Sequence, residues 1–162
     1  GDIPKRIPPQ FPFTHASTLV QIYEDEKDII SNLKDTGHLY SDATKSELEY
    51  VTERLRFAKK WVKEFAPEQY TFEIQKKVPD VELSDKQKQA LHSLADKLKH
   101  GKWTEQTLYN EFYNISKDEV DISTSDFFTA AYKVLLNREK GPKLAGFLLI
   151  VKDRAVKLFE SV

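Results

Sequence analysis

Residues 44–66, TKSELEYVTERLRFAKKWVKEFA, decide the fold class. Their apolar side chains Leu48, Val51, Leu55, Ala58, Val62 and Phe65 recur at steps of 3, 4, 3, 4 and 3. That period draws one stripe along an α-helix and no strand can follow it. Thr44 and Glu47 have capping-box spacing, which satisfies two N–H groups at the helix start. Glu47, Glu49 and Glu53 come early, whereas Arg56, Lys59, Lys60 and Lys63 come late, the order that the helix dipole favours. Pro67 ends the helix, and Trp61 is a core candidate beside Leu55 and Val62.

The same grammar extends in both directions. A helix is expected from near Thr14 through Leu19, Val20, Ile22 and Tyr23. A second should run from Asp25 to Thr36, with Ile29, Ile30 and Leu33 inward and Gly37 as its stop. Ser84-Asp-Lys-Gln87 is another capping box; it opens a helix that turns Leu91, Leu94, Ala95 and Leu98 inward and ends at Gly101. Thr104 caps a helix carrying Leu108, Phe112 and Ile115, and Ser123–Asp126 supplies caps for a helix over Phe127–Leu136. Two short helices are expected over Pro142–Val151 and Asp153–Phe159. Residues 67–83 break the pattern with Pro67 and Pro79, and Tyr70–Ile74 alternates as an extended segment does. The expected architecture is all-α, with seven or eight helices in two helical subdomains. Residues 1–13, with Pro4, Pro8, Pro9 and Pro12, read as an extended linker. Residues 14–78 form the N-terminal subdomain and residues 79–162 the C-terminal one.

Composition narrows the function. The 162 residues are 40% hydrophobic, enough for one ordinary globular unit or two small ones. Cysteine is absent, which excludes disulfides and thiolate metal sites and fits a reducing, cytoplasmic compartment. Methionine is also absent, the initiator included, so the chain reads as a piece of a longer protein. The longest apolar run, Phe147–Val151, is far short of the roughly 20 residues of a membrane span. His15, His38, His92 and His100 show no metal-binding spacing, and no metal or cofactor is expected. His100 beside Gly101 reads as a positive group at a helix C-terminus. The Asp118-Glu119 pair falls in a polar loop with nothing to desolvate it, and no phosphate loop, dinucleotide fingerprint or nucleophile elbow is present. The chain by itself is expected to catalyse nothing.

Charge is distributed more tellingly than its net value of −1. Residues 1–83 hold 12 basic and 15 acidic side chains, whereas residues 84–162 hold 13 and 11. Between 133 and 157, seven basic groups face only Glu139 and Asp153, a local excess able to attract a polyanion. The centre of that excess is the stretch Ser125–Phe147, SDFFTAAYKVLLNREKGPKLAGF, an amphipathic helix followed by a Gly-Pro hinge with Arg138, Lys140 and Lys143 around it. Pro142 is expected to open the next helix, where its missing N–H costs nothing. Arg138 can form two-pronged contacts to phosphate or a base edge, and the lysines act as point charges; read from the residues alone, a plain loop between helices whose charges keep it soluble is the simpler account.

Two other basic features accompany the hinge. In Lys99-His-Gly-Lys-Trp103, Trp103 can stack on an unpaired base beside Lys102, or plug the space between helix ends. The late cations of the long helix, Arg56, Lys59, Lys60 and Lys63, can follow a phosphate backbone, although a solvated face complementing the dipole is the simpler account. The candidate RNA-contacting set is Lys102, Trp103, Lys133, Arg138, Lys140, Gly141, Pro142 and Lys143. A helical module that docks a protein partner is the competing class.

The wording of these segments resembles the C-terminal, anticodon-binding region of class I lysyl-tRNA synthetases. The resemblance rests on Pro12-Phe-Thr-His15 with Leu19-Val-Gln-Ile22, Thr36-Gly-His-Leu39, Ala58-Lys-Lys-Trp-Val-Lys-Glu-Phe-Ala-Pro67, and the hinge from Phe127 to Leu144. It implies a helical cage around the anticodon loop of lysine tRNA, following an N-terminal catalytic domain that is absent from this chain. The H-x-G-H box and KMSKS-like loop of that domain are not in the sequence, so the resemblance carries no catalysis over to this piece. The family's usual Arg after Gly-Pro is Lys143 here, which keeps the charge and loses the planar fork. The anticodon-binding part of a glutamyl-type synthetase is the nearest rival, and the TGHL and A-x-x-WV segments favour the lysyl reading.

Overall fold

The computed structural model describes residues 8–65 and 72–162. The expected linker's first seven residues lie outside that range. So do Ala66 and Pro67, where the sequence reading ends the long helix, and Tyr70 and Thr71, where the alternating run begins. The chain divides into two compact units, Gly1–Pro67 and Glu68–Val162. Among the described residues every regular element is helical, and the fold is all-α.

The first unit holds α1 (Phe13–Ile22), α2 (Glu26–Asp35) and α3 (Lys45–Glu64). Thr44 closes its capping box as expected: its hydroxyl accepts from Glu47 N–H at 3.2 Å, and its own N–H donates to Glu47 Oε1 at 2.9 Å. The α3 stripe is buried at Val51, Leu55 and Ala58, and α1 packs on this helix with Ala16 and Leu19 fully enclosed. Phe65 departs from expectation. It is 67% exposed, because α3 has already ended at Glu64 and the Phe65 backbone (φ −128°, ψ −17°) leaves the helical path. Residues 8–12 are extended yet anchored, since Phe11 is buried under the Arg54 guanidinium and its carbonyl accepts from Arg54 Nη2 at 3.1 Å. Gly37, at φ +81°, makes the left-handed turn that stops α2. His38 and Leu39 N–H groups then both donate to Leu33 O, at 2.9 and 3.0 Å.

The second unit holds α4 (Asp85–His100), α5 (Glu105–Tyr113), a wide i→i+5 turn (Asn114–Glu119), α6 (Thr124–Leu136), α7 (Leu144–Ile150) and α8 (Lys152–Glu160). Helix α4 is its post. Leu91, Leu94 and Leu98 are fully buried, and α6, α8 and the wide turn all pack on this helix. Phe112 is enclosed between the rings of Phe127 and Phe128, at 5.8 and 5.5 Å. Residues 72–83 form no strand. They run irregularly along this unit, with Gln75 N–H donating to Leu135 O at 2.8 Å and Phe72 meeting Phe147 edge-on at 5.4 Å.

The wide turn was not expected from sequence, and it corrects the reading of Asp118-Glu119 as a bare polar loop. Lys97 Nζ bridges Glu111 Oε1 at 2.7 Å and Glu119 Oε1 at 2.8 Å, and Ser93 Oγ also donates to Glu119. These bonds pull Glu119 below the ordinary carboxylate range and raise Lys97. The pair is a brace between α4, α5 and the wide turn.

In the first unit, His15 is buried and stacks on His38 with ring centroids 4.4 Å apart. Burial first, and the neighbouring His38 charge second, push its imidazole down to about 4. The folded value lies below that of the unfolded chain, so the folded unit binds fewer protons. Its stability is therefore intact above about pH 6.5 and declines as pH falls toward 4. In a Trp103→Phe background, where Trp61 is the only indole, the denaturant midpoint should fall over that window. The fall should be clearly smaller after His15→Phe, and equal falls in the two proteins would contradict the assignment.

Candidate nucleic-acid interface

The hinge begins one residue after α6, and its start is set by Asn137. That residue takes the left-handed conformation (φ 56°, ψ 37°) and donates its N–H to Lys133 O at 2.9 Å. Asparagine tolerates this region better than other residues with a Cβ, so it can replace glycine as a helix terminator. Gly141, four residues further on, lies too far along to end α6.

Gly141 instead permits a close approach. A Cβ there would stand 2.7 Å from Leu136 Cδ1 and 3.0 Å from two ring carbons of Tyr132. Tyr132 also donates its hydroxyl to Pro142 O. Burial pushes the phenol up to about 12, so it remains a neutral donor at any ordinary pH. One tyrosine from α6 therefore holds both residues of the Gly-Pro pair. The hinge is a pinned loop whose backbone lies on α6 while its cations point outward.

Helix α7 starts at Leu144, two residues after Pro142, which corrects the expected start. Lys143 occupies the cap position with a non-helical backbone (φ −51°, ψ 120°), and no side chain caps the helix there. Pro142 is thus part of the loop, and its carbonyl is what Tyr132 holds. The second short helix starts at Lys152, two residues after α7 ends at Ile150, with Val151 as the joint.

Arg138, Lys140, Gly141 and Lys143 are exposed, and Pro142 is half-buried. Among the described residues Lys140 and Lys143 take part in no ion pair. The loop thus carries three cations, opposed within it only by Glu139. Lys133 stands apart from them. It lies one helical turn before Asn137 and borders an open groove with Glu82, Ser84 and Lys88.

Lys102 and Trp103 sit on a different support, the α4–α5 connection. The Trp103 indole N–H donates to Lys97 O at 2.9 Å, a carbonyl at the end of α4 that also accepts from Gly101 N–H at 3.0 Å. The indole is half-buried and seals the helix end. Its N–H is therefore engaged, and only ring face and edge can meet a ligand. Lys152 Nζ reaches Gly101 O at 3.5 Å and holds this connection to the start of α8. Lys102 is exposed.

Comparison with known proteins follows the same outline. No family model matches the chain. The chain is 38% identical over 162 residues to a lysine–tRNA ligase of Borrelia garinii subsp. bavariensis, covering 98% of this chain and 29% of the relative. It is 35% identical over 147 residues to a lysine–tRNA ligase of Pyrococcus horikoshii, covering 90% and 28%. A lysine–tRNA ligase of Borreliella burgdorferi is 35% identical over 161 residues, with 98% and 29% covered. The chain thus spans somewhat under a third of the curated relatives it matches. The resemblance to class I-type lysyl-tRNA synthetases, read above from four motifs, holds over nearly the whole chain.

The pinned hinge yields a direct test. Tyr132→Phe removes the hydroxyl bond to Pro142 and keeps the ring under Gly141. It should cost about 1 kcal/mol of unfolding free energy, the size of one hydrogen bond, and raise hydrogen exchange in residues 138–143. Unchanged exchange there would show that the loop does not depend on this bond.

Proposed function

We propose that this chain is the tRNA-binding portion of a lysyl-tRNA synthetase and that its second unit reads the anticodon loop of lysine tRNA. On this reading the chain is the C-terminal part, and aminoacylation belongs to a catalytic domain outside it. The observation that carries the proposal is the hinge itself. Three cationic side chains stand on a loop whose backbone is held by the Tyr132 hydroxyl at Pro142 and by the close packing of Gly141 on Leu136 and the Tyr132 ring.

A fixed loop loses little conformational freedom when it meets a ligand, so its charges act on phosphate with little ordering cost. Arg138 presents a planar fork suited to phosphate or the edge of a guanine. Lys140 and Lys143 are point charges that give attraction without base identity. Phosphate contacts set register and salt dependence, whereas discrimination between anticodons comes from groups that touch splayed-out bases. Arg138 and the Trp103 ring are the assigned base-contacting groups. Lysine at 143 supplies affinity alone.

The assignment of Arg138 is tested by Arg138→Ala in binding to a lysine tRNA transcript at low salt. Affinity should fall by roughly tenfold or more, as loss of a charge-assisted contact implies. The dependence of log K on log salt should flatten by about one contact. Unchanged low-salt affinity would remove Arg138 from the interface.

A further inference from the structure

The first unit carries a second surface of unusual make-up. On the outer side of α3, Phe57 is 63% exposed and leads, through Phe13, to Trp61. The ring centroids are 5.8 Å apart for Phe13–Phe57 and 5.3 Å for Phe13–Trp61. Phe65, 67% exposed, follows one helical turn after Trp61. Two phenylalanines this open on one small helical unit are costly unless something covers them.

The same stretch is densely cationic. Residues 56–63 hold Arg56, Lys59, Lys60 and Lys63 with no carboxylate among them. All four cations are exposed. Arg56 pairs with Glu26 at 3.4 Å, whereas among the described residues Lys59, Lys60 and Lys63 take part in no ion pair. Helical spacing links them to the ring: Phe57 and Lys60 are i,i+3 neighbours, as are Lys60 and Lys63, and Lys59 neighbours Lys63 at i,i+4. Dipole complementation accounts for cations in the last turn only. It explains neither Arg56, two turns from the end, nor the open aromatic rings.

We propose that this face of α3 is a second RNA-contacting surface, with Phe57 as a platform for an unpaired base and Lys59, Lys60 and Lys63 on the adjoining phosphates. An open ring with unpaired ammonium groups one turn away is what single-stranded RNA recognises: a π-face for the base and point charges for the backbone. A docked protein fits less well, because protein interfaces gather aromatic residues while lysine is depleted from them. The inference rests on the RNA-binding reading above and goes beyond it by assigning contacts to the first unit. These contacts carry no information about the anticodon.

The test uses the lysine tRNA transcript and two variants of surface residues only. Lys59→Gln/Lys60→Gln/Lys63→Gln should flatten the log K against log salt slope by roughly two to three. Phe57→Ser should weaken binding roughly fivefold or more with the slope unchanged. A transcript with a changed anticodon, run in parallel, should lose the same factor on each substitution. If neither variant alters affinity or slope while the parent still binds tRNA, the proposal is overturned. Failure of Arg138→Ala to matter, with the α3 variants still effective, would remove the hinge assignment and leave this surface standing.

Discussion

The second unit depends on the dry contact between the Leu91, Leu94, Ala95 and Leu98 stripe of α4 and the helices laid on it. Those side chains are 0–1% exposed, and each fully buried leucine among them contributes about 1.5–3 kcal/mol. Everything that presents a charge to solvent hangs from this post. Helix α6 packs on it and carries Tyr132 out to the hinge, and the end of α4 is closed by Trp103. The Lys97 brace fixes the wide turn between α4 and α5. The polar chemistry is peripheral to an apolar frame that the capping boxes and leucine spacing specify.

That hierarchy explains which features were legible in the sequence. Caps and stripes are local, so Thr44, Ser84 and Thr104 mark their helix starts as read, and the α4 and α5 core residues are buried as read; of the caps offered in Ser123–Asp126, Ser123 is the one used, and α6 starts at Thr124, three residues before the expected Phe127. Features that depend on contacts between distant residues were not legible. Pro142 suits a first helical turn by its own chemistry, yet α7 waits until Leu144 because Tyr132 holds the Pro142 carbonyl in the loop. The wide turn follows from the Lys97–Glu119 bridge, whose partners are 22 positions apart in the chain. Phe65 obeys the heptad-like spacing but falls just past the last helical residue, so the period placed it inward and the backbone turned it out. The helix end at Leu136 is as read, and Asn137 makes it by accepting the left-handed geometry.

The shared motifs divide by the work their residues do. Thr36-Gly-His-Leu39 is a helix stop: Gly37 turns, His38 and Leu39 bond back to Leu33, and Leu39 plugs the core. His15 is a buried residue stacked on His38, and Ala58 is core. The Phe127–Leu144 wording likewise contains core phenylalanine, the tyrosine that pins the hinge and the glycine on which it rests. Much of the likeness to lysine–tRNA ligases is thus architecture, and the outward cations are the remainder that can meet a nucleic acid. The candidate site was half visible from sequence. Charge and the Gly-Pro pair mark the candidate loop in the sequence, while its pinning depends on the Tyr132 contact with Pro142, ten positions away, which local pattern does not display.

The central claim is that this chain distinguishes anticodons. Titration with a lysine tRNA transcript and with the same transcript carrying a changed anticodon, each at two salt concentrations, tests it most directly. The account predicts tighter binding to the native anticodon, with both affinities falling steeply as salt rises. Equal affinity for the two transcripts at both salt concentrations would contradict it.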